Sequence, residues 1–193
     1  MKNSKFLIFN NVKTLVFASI LVAISVTGKL LSFNIGEYIR LGYENLPVVL
    51  SGIAFGPVIG FLVGIAADIC GCFAVGYSIN PIITLGMGAI GLVAGLISLI
   101  FKYNLSLLSI IISDVTAHIT GSIIIKTIGI AIYYGAKNGV PALFMERTVN
   151  YLIIMALEIV ILSVLLTNTQ IKKELSKLRT VASDFSTNSM LSI

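Results

Sequence analysis

Charged residues are scarce in this sequence. Asp, Glu, Lys and Arg make up 11% of the 193 residues, whereas hydrophobic residues make up 57%. Soluble domains contain about one quarter charged residues. This composition, with a mean hydropathy of +1.04, therefore argues against a water-soluble fold.

Motifs for common kinds of catalysis are also missing. The sequence has no G-x-x-x-x-G-K-[ST] phosphate loop, so we do not expect it to hydrolyse ATP by the usual route. It has no arranged nucleophile and base and no zinc motif, and its two cysteines, Cys70 and Cys72, have no partners elsewhere for a disulfide framework. We predict that the chain is not an enzyme, that it has no cofactor or metal of its own, and that both cysteines are small buried residues.

Long apolar runs are what the sequence does contain. A run of about 18 or more apolar residues can cross a bilayer as a helix, and continuous rather than alternating hydrophobicity excludes a transmembrane barrel. The N-terminal run fits a first span better than a signal peptide, because no convincing cleavage site follows it. We predict an all-α membrane protein with six transmembrane helices, at about residues 12–31, 45–55, 57–75, 82–101, 105–134 and 144–167.

The distribution of basic residues predicts the orientation. With six spans, the side that holds both termini carries eight lysines and arginines and the other side carries five. Because cytoplasmic loops are enriched in these residues, we expect both termini in the cytoplasm. Residues 1–167 then form a substrate-binding transmembrane domain, and residues 168–193 form a cytoplasmic tail that begins with a short helical extension. The net charge of +5 is explained by this topology without a nucleic-acid partner.

Three predicted outer loops, at residues 32–44, 76–81 and 135–143, hold most of the polar chemistry. An aromatic belt at the lipid headgroups would place tyrosines at this level, and so would an outer cavity formed by these loops. Both interpretations remain open for six of the seven tyrosines, namely Tyr38, Tyr43, Tyr77, Tyr133, Tyr134 and Tyr151.

Charged residues inside the spans are candidates for function, because burying them in a membrane is costly. Asp68, Lys126 and Arg147 are predicted to converge beneath the outer loops, and Arg40 approaches from the first loop. These groups either bind a ligand or neutralise one another, with Asp68 paired to Lys126 or Arg147. The two arrangements can coexist if a ligand exchanges with such a pair.

A second polar group lies deeper in the predicted bundle. Asp114 and His118 are four residues apart and share one face of the fifth helix, and Glu158 on the sixth helix is the obvious third member. The three residue types could bind a metal or relay protons. We favour polar contacts between helices.

Small residues predict close helix contacts. Gly88, Gly91 and Gly95 line the fourth helix, and Ser19 and Ala23 form a small-x-x-x-small pair on the first helix. Such spacing lets another helix approach closely in lipid. The partner is either a helix of this chain or a second membrane subunit.

Several stretches carry a family resemblance. The sequences VKTLVFASILVAIS, IRLGYENLPVVLSGIAFGPVIGFLVGIAADICG and GYSINPIITLG, together with the arginine at the start of the last helix, resemble the S components of energy-coupling factor (ECF) vitamin transporters, most closely the folate family. The resemblance spans about residues 12–165. It implies a six-helix S-component bundle in a bacterial cell membrane that captures a vitamin outside the cell.

The resemblance also implies partners. A transmembrane coupling subunit would contact Ser19 and Ala23 on the first helix, and two ABC ATPase subunits would hydrolyse the ATP. The vitamin would bind between the loops that follow the first, third and fifth helices. We predict a substrate site made of Arg40, Tyr43, Asp68, Tyr77, Asn80, Lys126, Tyr133, Arg147 and Asn150.

Folate suits these residues. Its flat rings can stack on tyrosine, a carboxylate such as Asp68 can accept paired N–H bonds from the pterin, and the anionic tail can approach Arg40, Lys126, Lys137 or Arg147. The five basic residues on the predicted outer side argue against thiamine, because thiamine is a cation. The alternatives are another vitamin or precursor, such as pantothenate, biotin, riboflavin or a queuosine precursor, and a stand-alone proton-coupled secondary transporter.

Overall fold

The computed structural model describes residues 12–35, 39–136, 139–173 and 175, with the backbone alone at 34, 35 and 39–41. Helices account for nearly all of this structure. In chain order they are α1 (Val12–Leu30), α2 (Leu46–Phe55), α3 (Pro57–Val75), α4 (Pro81–Ile100), α5 (Leu107–Ala117), a π-helical segment (His118–Ile125), α6 (Lys126–Tyr134) and α7 (Val140–Thr167).

The predicted arrangement of one short and five long helices is confirmed. Within the described residues, five helices are long and apolar enough to cross a membrane, and α2 is a shorter apolar helix. The α5 helix, the π-helical segment and α6 form one continuous rod from Leu107 to Tyr134, where the sequence predicted a single α-helix. The π-helical part changes which residues share a face of this rod, because its hydrogen bonds span five residues rather than four.

The first outer loop contains a small hairpin that was not predicted. Strand β1 (Phe33–Ile35) pairs antiparallel with β2 (Ile39–Leu41), and Asn34 lies opposite Arg40. Three-residue strands are too short for an alternating pattern to be recognised in a sequence. The hairpin lies between the end of α1 and the start of α2 in the chain.

The centre of the fold is a tight layer of α2, α3 and α4. Gly56 has φ 93° and Pro57 begins α3, so the chain reverses between α2 and α3 without a polar loop, as predicted. A Cβ at Gly91 would overlap the backbone of Gly60, and one at Gly95 would overlap Pro57. The predicted role of the α4 glycines in close helix packing is therefore confirmed for these two positions.

The outer surface of α1 faces away from the rest of the bundle. Ser19 and Ala23 are both exposed, so they are available for a partner and do not pack inside this chain. One expectation about small residues is wrong: Cys72 is buried but Cys70 is exposed, because the two lie on different sides of α3. The predicted helical extension is present at residues 169–173, and the remaining tail apart from residue 175 lies outside the described residues.

Candidate ligand-binding cavity

A cavity opens at the end of the bundle where α1, α3 and α6 finish and α2, α4 and α7 begin. Its volume is about 610 Å³, within the range of roughly 300–1,000 Å³ that is typical of small-molecule sites. Each of these six helices, or the loop beside it, contributes side chains to the wall. The six predicted site residues that line the cavity are Asp68, Tyr77, Asn80, Lys126, Arg147 and Asn150.

The other predicted site residues have different positions. Tyr43 and Tyr133 have exposed side chains and are not part of the described cavity wall. Two other predicted outer-layer tyrosines, Tyr134 and Tyr151, line the cavity instead. The backbone of Arg40 lies in β2, and its side chain lies outside the described part of the chain, as do Tyr38 and Lys137.

Asp68 forms an ion pair, but with a partner that was not predicted. Lys29 Nζ donates to Asp68 Oδ1 at 2.8 Å, and Thr84 Oγ1 donates to Asp68 Oδ2 at 2.7 Å. The expected pairing of Asp68 with Lys126 or Arg147 is therefore wrong. Gly71 explains the difference, because a Cβ there would lie 2.7 Å from Lys29 Cδ, so the bare backbone of α3 leaves space for the lysine stem.

Lys126 lacks a counterion in the described structure. Its side chain projects between helices, and the residue is 4% exposed. The ammonium donates to Asn45 Oδ1 at 3.0 Å and contacts Met87 Sδ at 3.1 Å. No described carboxylate forms an ion pair with it. A buried ammonium in such a position attracts an anion, because its own charge is only partly solvated.

Arg147 is oriented by neutral partners. Its Nε donates to Thr127 Oγ1 at 2.8 Å, and Nη2 donates to the Ser122 carbonyl at 3.4 Å and to the Tyr151 hydroxyl at 3.3 Å. The guanidinium carbon lies 5.2 Å from the centre of the Tyr151 ring, a cation–π distance. None of the carboxylates that the structure describes pairs with this side chain.

The wall also offers hydrogen-bond acceptors that are not in use. Glu44 Oε2 and Asn150 Oδ1 are buried and have no hydrogen-bond partner in the described structure. Buried acceptors without donors are uncommon in folded proteins, and here both residues line the cavity. They can accept N–H or O–H groups from a bound molecule.

Asn80 has a supporting role. Its side-chain oxygen accepts from the backbone N–H groups of Ile82 and Ile83 at the start of α4, and its Nδ2 donates to the Gly129 carbonyl at 3.3 Å. It therefore fixes the start of α4 against α6, at the edge of the cavity. Lys29, Glu44 and Asn45 also line the cavity but were not predicted for this site, although Glu44 ends the first predicted outer loop and Asn45 follows it.

A family model described as the S component of an ECF-type riboflavin transporter matches residues 9–173. This chain belongs to that family. The predicted identification as an ECF S component is confirmed, and the chain is a multi-pass membrane subunit of a transporter.

Comparison with solved structures agrees on the fold. This chain resembles the crystal structure of FolT bound with folic acid, with a TM-score of 0.63. The sequence identity is 18%, and the match covers 79% of this chain and 91% of FolT. It is also 34% identical, over 68 residues, to a Mycoplasma pneumoniae protein described as an uncharacterized MG313 homolog. That match spans 35% of this chain and only about a quarter (24%) of the relative.

Proposed function

We propose that this S component binds folate in the cavity and delivers it to a transmembrane coupling subunit driven by two ATPases. The observation that carries the proposal is the pair of cations, Lys126 and Arg147, that line the cavity without carboxylate partners among the described residues. Folate has an anionic glutamate tail that would neutralise them. Charge-assisted hydrogen bonds from a guanidinium or an ammonium to a carboxylate are short and strong.

The rest of the wall favours a ligand with flat rings. Tyr77 and Tyr134 line the cavity and offer aromatic faces of the kind on which a pterin or aminobenzoyl ring stacks. The Tyr151 ring, in contrast, already contacts Arg147 and His118. Biotin and pantothenate would satisfy the cations but have no aromatic ring. Folate combines both features.

The pterin edge needs acceptors for its N–H groups. Glu44 Oε2 and Asn150 Oδ1 accept no hydrogen bond in the described structure. Each carboxylate oxygen of Asp68, in contrast, already accepts one hydrogen bond. We therefore assign the first contacts with the pterin to Glu44 and Asn150. Asp68 would join them only through lone pairs that Lys29 and Thr84 leave unused.

Riboflavin is the second candidate, because the matching family is described by that vitamin. Its flavin ring would also suit the tyrosines. However, riboflavin has no ionised group at neutral pH, so it would leave both Lys126 and Arg147 without a counterion. Burial of an uncompensated charge costs several kcal/mol, and this difference favours folate.

Isothermal titration of the detergent-purified chain with each vitamin tests the proposal. We expect folate to bind at least tenfold more tightly than riboflavin, a difference of about 1.4 kcal/mol or more. The affinity for folate should also fall as salt is raised, because its capture involves opposite charges. Tighter binding of riboflavin than of folate would contradict the proposal and identify riboflavin as the ligand of the cavity.

A further inference from the structure

Three buried side chains that are not part of the cavity wall form a cluster midway along the bundle. Asp114 and His118 lie on the long rod, at the end of α5 and the start of the π-helical segment, and Glu158 lies on α7. His118 Nε2 lies 2.7 Å from Glu158 Oε2 and 3.8 Å from Asp114 Oδ1. Asp114 and His118 are completely buried and Glu158 is 2% exposed.

The cluster has more acceptors than donors. Both carboxylate oxygens of Asp114 and Oε1 of Glu158 have no hydrogen-bond partner in the described structure. No described lysine or arginine pairs with either carboxylate. Buried carboxylate oxygens without donors need a proton or a cation to offset their loss of solvation.

The imidazole is held in the orientation that a metal ligand needs. His118 Nδ1 shares a hydrogen bond of 3.1 Å with Ser122 Oγ, so Nε2 points toward the two carboxylates. A hydrogen bond at the remote nitrogen is the usual support of a metal-binding histidine. Ser122 lies one turn along the π-helical segment, and such segments occur frequently at functional sites.

The spacing of the three groups fits one small cation. One atom from each residue can be chosen so that all three lie within 4.8 Å of one another. Tetrahedral coordination at roughly 2.0–2.2 Å places ligand atoms roughly 3.3–3.6 Å apart. The Asp114–His118 separation of 3.8 Å is close to this value, and the His118–Glu158 contact would open slightly to admit the ion.

We propose that Asp114, His118 and Glu158 form a binding site for a divalent first-row transition-metal ion, with Zn²⁺ as the experimental probe. One nitrogen and carboxylate oxygens are donors that suit such ions, and two carboxylates balance a charge of +2. Sequence spacing alone favoured polar contacts between helices; the three oxygens without donors favour a metal. The ion would fasten α7 to the rod.

The site lies directly beneath the cavity. Tyr151, which lines the cavity, lies against His118 with ring centres 5.6 Å apart. Ser122 connects the two regions as well, because its hydroxyl contacts His118 and its carbonyl accepts from Arg147. A metal would therefore stabilise the segment that orients Arg147.

Metal titration of the full-length, chelator-treated protein in detergent tests this proposal without any vitamin. We expect wild type to bind one equivalent of Zn²⁺, and Co²⁺ to give a visible d–d absorption that Zn²⁺ abolishes. Asp114→Asn, His118→Ala and Glu158→Gln should each weaken Zn²⁺ binding at least tenfold. The matched control is Thr120→Val, because Thr120 lies on the same π-helical segment and its hydroxyl donates only to the Thr116 carbonyl.

Size-exclusion profiles show whether each variant remains folded. The Co²⁺ spectrum of wild type tests the proposal even if a variant fails to fold. Absence of stoichiometric Zn²⁺ binding and of a Co²⁺ band in wild type would overturn the proposal and assign protons to the cluster. Equal Zn²⁺ binding by wild type and all three variants would overturn it too. Because the titration contains no vitamin, its result does not depend on which vitamin binds in the cavity.

Discussion

At the scale of single residues, the folate proposal depends on Lys126 and Arg147. Both are donors whose charge is not balanced by a carboxylate in the described structure, and both are held in place by neutral groups. An anion that enters the cavity therefore meets charges that are already oriented. This arrangement lowers the cost of ordering side chains on binding.

The first prediction concerns the charge of Lys126. Lys126→Met keeps an unbranched side chain in the same space and removes the ammonium. We expect folate affinity to fall at least tenfold, about 1.4 kcal/mol or more, with the protein still folded, because removal of the buried charge offsets the loss of the hydrogen bond to Asn45 Oδ1. Lys102→Met is the control, since Lys102 is exposed at the opposite end of the bundle. Wild-type affinity in Lys126→Met, measured by titration calorimetry, would remove this residue from the site.

The second prediction concerns the ion pair between Lys29 and Asp68. Asp68→Asn leaves a buried ammonium without its carboxylate, a change that costs about 3–5 kcal/mol in buried pairs. We expect a clear fall in the melting temperature of the purified protein. The double variant Lys29→Met/Asp68→Leu should recover most of it, because no charge remains to be compensated. A double variant that melts below Asp68→Asn would contradict a mainly electrostatic role.

Some of these residues were visible in the sequence because charges inside apolar runs are conspicuous. Asp68, Lys126 and Arg147 were selected in this way, and all three line the cavity. Lys29 was overlooked because a lysine at the end of a span is already explained by topology. Tyr43 and Tyr133 were misplaced because the faces of residues near helix ends depend on backbone details that hydropathy does not report.

At the scale of helices, glycine and proline positions in the sequence correctly predicted a chain reversal and close helix contacts. Gly56 and Pro57 reverse the chain, and Gly91 and Gly95 allow α4 to touch its neighbours. The π-helical segment was not predictable, because its apolar residues fit an α-helical pattern equally well. The β-hairpin was too short to detect. Both unexpected features lie close in the chain to residues that line the cavity.

The third prediction belongs to α1. Ser19 and Ala23 are exposed on this helix, and small residues permit close approach of another helix in lipid. Ala23→Trp should leave folate binding intact and abolish ATP-dependent uptake by proteoliposomes that contain the coupling subunit and both ATPases. Val160→Trp is the control, because Val160 is 63% exposed on α7, a different helix, and we expect it to transport normally. Continued uptake by Ala23→Trp would exclude this surface as the interface.

At the scale of the whole molecule, the cavity lies at one end of the bundle, and the start of α1 and the end of α7 lie at the other. The predicted orientation places the cavity outside the cell and the basic termini in the cytoplasm. Five long helices and one short helix provide the membrane domain, but no phosphate loop is present in the sequence. Such an arrangement suits a subunit that binds its ligand and depends on partners for energy.

The central claim is that the cavity holds a flat, anionic vitamin, and native mass spectrometry of the purified chain tests it most directly. A tightly held ligand remains bound during gentle purification, and its mass identifies it. We predict a complex of one chain with one folate, which is lost when Lys126 is replaced by methionine and retained in Lys102→Met. A bound riboflavin, or a folate complex that persists unchanged in Lys126→Met, would contradict the account.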